Sequence, residues 1–93
     1  MRTLRERDIE KYLVSEVKRI GGEVRKIKWI GRSSAPDRVV IAGGRVTFVE
    51  LKAPGKKATA AQRREHERLR ANGARVCVLD TIEAVELLIW QLT

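Results

Sequence analysis

The stretch DRVVIAGGRVTFVELK, residues 37–52, decides the fold. Two runs rich in β-branched and apolar residues flank Gly43-Gly44. Paired glycines supply the positive φ angles of a tight turn, so the stretch predicts a β-hairpin. A turn symmetric about the two glycines sets Ala42 against Arg45. Counting outward in pairs sets Asp37 against Glu50, and a four-residue loop centred on the same glycines gives the same register. Directly opposed residues of an antiparallel pair have Cβ atoms about 4.5–5.5 Å apart. Two carboxylates that close repel each other, and a divalent cation between them would relieve the repulsion. Hard oxygen ligands at this spacing suit Mg²⁺ or Mn²⁺, which take one or two carboxylates and complete their shells with water and substrate phosphate.

Strand periodicity adds a third residue. Glu50 and Lys52 share one strand face with Val46 and Phe48, while Val49 and Leu51 line the other. Apolar residues on both faces predict a central strand covered on both sides. Charged side chains in such a strand need partners. A Glu50–Lys52 ion pair at a frayed strand end would meet that need without any function. Asp37 opposite favours a catalytic reading centred on Asp37, Glu50 and Lys52.

The flanking sequence fills in the rest of the domain. Residues 4–20 carry Ile9, Leu13, Val17 and Ile20 at helical spacing, with Thr3 and Glu6 as a capping box and Gly21-Gly22 as a stop. EVRKIKWI (23–30) reads as a strand with imperfect alternation, and GRSSAP (31–36) as a loop. After the Pro54-Gly55 break, residues 59–72 form a polar helix capped by Thr59 with Gln62 three residues on, and closed by Gly73. RVCVL (75–79) is a strand of β-formers, and IEAVELLIWQL (82–92) an apolar helix. The order α-β-β-β-α-β-α makes residues 1–93 a single α/β domain. Glu6 and Glu10 extend the Leu13–Val17 stripe. Glu6 in the first turn is explained by the helix dipole. Glu10 lies deeper and is the preferred third carboxylate, a fourth member of the site.

Composition bounds the partners. Twenty Lys and Arg against twelve Asp and Glu give a net charge of +8, a field that attracts polyanions such as DNA or RNA. No apolar run is long enough to cross a bilayer. The charged start MRTLRERDIEKYL has no signal-peptide core, so a cytoplasmic location is expected. The lone Cys77 sits in an apolar run, where a buried thiol is the default.

The motif residues resemble the PD-(D/E)XK nuclease superfamily: Pro36-Asp37, then Glu50-Leu51-Lys52. With GG-EVRKIKW, G-RSSAPDR, FVELKAPGKK, T-AAQ-REHERLR and GARVCVLD, nearly the whole chain is similar to a stand-alone VRR-NUC domain of phage or prophage type. That resemblance implies a restriction-endonuclease-like αβββαβ core with a mixed central sheet and an extra C-terminal helix. It implies that Asp37, Glu50 and the Leu51 backbone carbonyl bind Mg²⁺ or Mn²⁺, with a helix-1 glutamate completing the site, Glu10 before Glu6. Lys52 would orient or activate the attacking water. Gln62 matches the glutamine that follows the motif, and could serve both there and in the capping box. The product would be 5′-phosphate ends, in the cytoplasm of a bacterial host.

The expected substrate surface comprises Arg25, Lys26 and Lys28; Arg32, Ser33, Ser34 and Arg38; Lys56 and Lys57; and Arg63, Arg64, Arg68 and Arg70 of the polar helix. Trp29 reads as a core or loop anchor, and His66 as a packing or phosphate-contacting residue without catalytic role. The last helix carries Ile82, Val85, Ile89 and Leu92 on one face, with Leu87, Leu88 and Trp90 beyond it. That surplus suggests a homodimer through this helix or a sheet edge, which would place two sites on one Holliday-junction or other branched DNA. The rival readings are a non-catalytic basic nucleic-acid-binding module, and a flap, nicking or RNA-directed nuclease of the same fold. No organic cofactor or membrane partner is expected.

Overall fold

The computed structural model describes residues 3–93. Its elements are α1 (Glu6–Arg19), β1 (Glu23–Lys26), β2 (Arg38–Ala42), β3 (Arg45–Leu51), α2 (Ala60–Ala71), β4 (Arg75–Leu79) and α3 (Ile82–Leu92). This is the α-β-β-β-α-β-α order read from the sequence. The strands form one mixed sheet in the order β1-β2-β3-β4. β1, β2 and β3 are antiparallel neighbours, and β4 runs parallel to β3. A parallel neighbour requires a crossover, which α2 supplies.

The β2–β3 ladder pairs Ala42 with Arg45 and, at its far end, Arg38 with Val49. This is the register set by the diglycine turn, and it leads outward to Asp37 and Glu50. Gly43 and Gly44 have φ angles of 61° and 74°, the mirror-image turn that matches strand twist. Gly43 also abuts the end of α3: a Cβ there would stand 2.3 Å from the carbonyl oxygen of Leu92.

The two sheet faces differ in kind. One face, with Val40, Val49, Leu51 and Leu79, packs on Ile9, Leu13 and Val17 of α1 and on Val85, Leu88, Ile89 and Leu92 of α3. Tyr12 Oη donates to Glu86 at 2.9 Å and ties those two helices together. The other face is covered by α2, whose buried residues are Glu65 and His66. Val46 on this face is 51% exposed and Phe48 only partly buried. The continuous apolar face expected there is therefore absent; cover is confined to the end of β3 that α2 crosses.

Three local expectations are corrected. The Thr3–Glu6 box does not form: α1 starts after Arg5, whose N–H donates to the Asp8 carboxylate at 2.8 Å. β1 ends at Lys26, where the apolar alternation fails, and residues 27–37 leave the sheet. Leu88 belongs to the inward face of α3, while Leu87 and Trp90 are 57% and 74% exposed. Burial pushes the Cys77 thiol up to about 11, which leaves little reactive thiolate. Among the described residues no helix is long and apolar enough to cross a membrane.

Candidate active site

The open end of the β2–β3 hairpin gathers the acids. Pro36 is fully buried just before Asp37 and fixes the chain's entry there. Asp37 Oδ2 accepts the N–H of Leu51 at 2.8 Å, so this carboxylate continues the ladder beyond Arg38. Glu50 is 1% exposed. It shares a side-chain hydrogen bond with Asp37. From the other side α2 supplies two partners one turn apart. Gln62 Nε2 lies 3.4 Å from Glu50 Oε2, and His66 Nε2 lies 3.1 Å from Oε1. Gln62 closes the capping box as well: its Oε1 accepts the Thr59 N–H at 2.9 Å, and its own N–H donates to Thr59 Oγ1 at 3.1 Å. Its two anticipated positions coincide.

Burial first, then the hydrogen bond and charge of Asp37, push the Glu50 carboxyl up to about 8. Lys52 opposes the shift and Glu6 adds to it. Two carboxylates in contact cannot both ionise cheaply, so the pair keeps one proton near neutral pH. A divalent cation would displace that proton, and the donor chemistry fits one: two hard carboxylate groups converge, and the charge of Lys52 only partly offsets them. Among the described residues no group of three or more His, Cys, Asp or Glu side chains is placed to hold a metal ion, so any ion here would rest on the two carboxylates. An incomplete set leaves room for water and phosphate, as Mg²⁺ favours.

The proton has a measurable consequence. Above pH 4.5 the unfolded chain releases the Glu50 proton, and the folded chain holds it to about 8. This contribution to stability is complete below 4.5 and is lost as pH rises through 8. Melting temperatures in EDTA should therefore fall across that window for the wild type relative to Glu50→Gln. Saturating Mg²⁺ should flatten or reverse the difference, because the cation binds the ionised pair. Parallel wild-type and Glu50→Gln profiles in EDTA would count against the shared proton.

The other anticipated residues are placed unevenly. Glu10 is not brought to the acid pair; it forms an ion pair with Arg38. Arg38 faces the α1 side of the sheet with its side chain 12% exposed, so it is also removed from the expected substrate surface. Glu6 is the helix-1 acid whose charge reaches Glu50. Lys52 is half-buried beside the pair. Lys26, Lys28, Arg32 and Ser33 are exposed, and Ser34 is half-buried with a φ of 68°. Lys56, Lys57, Arg63 and Arg64 line a cavity of about 810 Å³ that also reaches His66.

The sequence reads His66 of α2 only as a packing or phosphate-contacting residue, and gives Glu65 no role. His66 contacts Glu50, as above. Glu65, 4% exposed, accepts Trp29 Nε1 at 2.7 Å, Arg32 Nε at 3.1 Å and Arg68 Nη2 at 2.8 Å. Burial alone would raise its pKa, but the hydrogen bonds from Arg68 and Trp29 and the charge of Arg32 outweigh burial and hold it low. Trp29 also meets Phe48 edge-on at 6.1 Å, so it anchors the loop, as expected. This clasp fixes the β1–β2 loop to α2 and leaves Ile30 fully exposed at the loop's surface. The available signal for His66 was its position one turn after Gln62; an acid in a polar helix, such as Glu65, carries none.

No family model matches the chain. A curated phage protein named "Putative nuclease p44", from Acyrthosiphon pisum secondary endosymbiont phage 1, is 51% identical over 89 residues, spanning 95% of this chain and 96% of its own length. A solved structure described as a VRR-NUC domain superposes with a TM-score of 0.85 at 39% identity, over 95% of this chain and 97% of that one. A second, described as a VRR-NUC domain protein, gives a TM-score of 0.77 at 22% identity, over 98% and 89%, a likeness of fold alone.

Proposed function

The chain belongs to the VRR-NUC domain family of nucleases, and from that premise we propose that it is a metal-dependent endonuclease hydrolysing phosphodiesters of branched DNA. The observation that carries the reading is the buried Glu50 carboxyl set beside the half-buried Asp37 carboxylate at the open end of the hairpin. Asp37, Glu50 and the Leu51 carbonyl are the proposed ligands. A divalent ion held there, Mg²⁺ or Mn²⁺, would supply Lewis acidity for the phosphate and would lower the pKa of water.

The protein's own groups do the rest. Leu51 N–H holds Oδ2 of Asp37 and so fixes the direction of that carboxylate. Lys52 is half-buried beside the two carboxylates. It positions the attacking water and steadies charge on the phosphate. Glu6, not Glu10, is the helix-1 acid assigned to the site, because Glu10 is already neutralised by Arg38. Lys26, Lys28, Arg32, Ser33, Ser34, Lys56, Lys57 and Arg63 grip the backbone, which orients the substrate without reading its sequence. Exposed Leu87 and Trp90 on α3 support a homodimer in which two sites address one branched substrate. The phage relative is consistent with action in a bacterial cytoplasm.

The test is a cleavage panel of junction, flapped and linear DNA and of RNA, each with Mg²⁺, Mn²⁺ or EDTA. The expected result is 5′-phosphate products from branched DNA with either ion and none in EDTA. Salt-dependent binding without cleavage under any condition would instead identify a non-catalytic binding module. Preferential cleavage of RNA would reassign the substrate.

A further inference from the structure

We infer that His66 is a positioning residue that, together with Gln62, sets the plane of the Glu50 carboxylate by holding one of its oxygens. This rests on the metal-site reading of Glu50. The contact is 3.1 Å between His66 Nε2 and Glu50 Oε1, and both side chains are 2% exposed. Gln62 takes the other oxygen, Oε2, at 3.4 Å. A carboxylate held at one oxygen still swings about its last torsion. One held at both oxygens is fixed in plane and direction.

The two holders lie one turn apart on α2, at i and i+4, so both project from the same strip of the helix. The contact is costly to build for packing alone. Burying an imidazole and a carboxyl together in a 93-residue domain removes two polar groups from water, and an apolar pair of similar volume would fill the same space. With Nε2 carrying its proton, His66 donates to Oε1. Groups that hydrogen-bond a metal-ligating carboxylate pre-set its geometry, and their loss typically lowers metal affinity or activity about 10–100-fold.

Three variants separate positioning from packing. His66→Phe keeps the ring and removes the donor. His66→Gln carries an amide nitrogen to roughly the place of Nε2. His66→Asn is polar but too short to reach. Mn²⁺ affinity is measured by isothermal titration calorimetry on the full chain, melting temperature in EDTA, and kcat and KM on the best substrate. His66→Phe and His66→Asn should bind Mn²⁺ about 10–100-fold more weakly and lose kcat rather than gain KM. His66→Gln should stay near wild type in both. Should His66→Phe fail to fold, the Gln–Asn comparison decides. Equal Mn²⁺ affinity in wild type, Gln and Asn variants overturns the inference. So does an affinity loss that simply follows melting temperature and is shared by Gln. A wild type that takes up no Mn²⁺ at all points to failure of the metal-site reading itself and removes this inference with it.

Discussion

Asp37→Asn is expected to lower cleavage about a thousandfold, taking several kcal/mol of metal-dependent transition-state stabilisation at 1.36 kcal/mol per tenfold. The same change should leave the metal-free fold at least as stable as wild type. The asparagine carbonyl can still accept the Leu51 N–H that Asp37 Oδ2 accepts now. The charge that crowds Glu50 is gone, and with it one of the causes that raise the Glu50 pKa. Activity and stability thus move in opposite directions, a signature of a residue kept for chemistry against the preference of the fold. Single-turnover cleavage with saturating Mg²⁺ and urea unfolding in EDTA read the two effects. Retained cleavage would remove Asp37 from the metal site; lost stability would mean that its charge supports the fold.

The second large effect concerns the turn. Gly43→Ala should destabilise the protein by about 2–5 kcal/mol, from a left-handed backbone penalty plus overpacking. Gly44→Ala should cost only the first part, about 1–2 kcal/mol. Both glycines have positive φ, at 61° and 74°. Only Gly43 is pressed against another element: its added Cβ would meet the Leu92 carbonyl oxygen at 2.3 Å, whereas nothing lies within 4 Å of the one at Gly44. A backbone oxygen cannot rotate away as a side chain can, so the end of α3 or the turn itself must shift. For a domain of this size each kcal/mol lowers the melting temperature by roughly 4–8 °C. Equal losses in the two variants would show that the approach of α3 carries no energy.

What the sequence disclosed follows from how local each signal is. The hairpin register needs only Gly43-Gly44 and the count outward, and the β2–β3 ladder follows it to Arg38–Val49. Helix caps at Thr59 and the apolar stripe of α1 are equally local. The hairpin alone therefore sets Asp37 opposite Glu50, with no tertiary contact needed. Glu6 and Glu10 could not be ordered in this way. Four residues apart on one stripe, they are told apart only by Arg38, which arrives from β2 and claims Glu10. Arg38 itself read as substrate surface because a lone arginine at a strand start shows nothing of the helix that covers it. Glu65 was invisible for the same reason, since its partners Trp29 and Arg32 lie more than thirty residues upstream.

The unequal cover of the sheet bears on how the molecule comes apart. α1 and α3 are held by hydrocarbon contacts over one face. α2 is held by a clasp of charged and polar groups, and the residues it buries are an acid and an imidazole. Segments with few buried apolar contacts open at lower free energy than the global unfolding barrier allows elsewhere. Amides of α2 and of the loop clasped to it should thus exchange with solvent as one unit, well before those of the strands and the other two helices. A ligand that binds only the closed arrangement stabilises it by mass action. The segment that carries Gln62 and His66 then gains its rigidity from what it binds, on a scaffold that stays folded throughout.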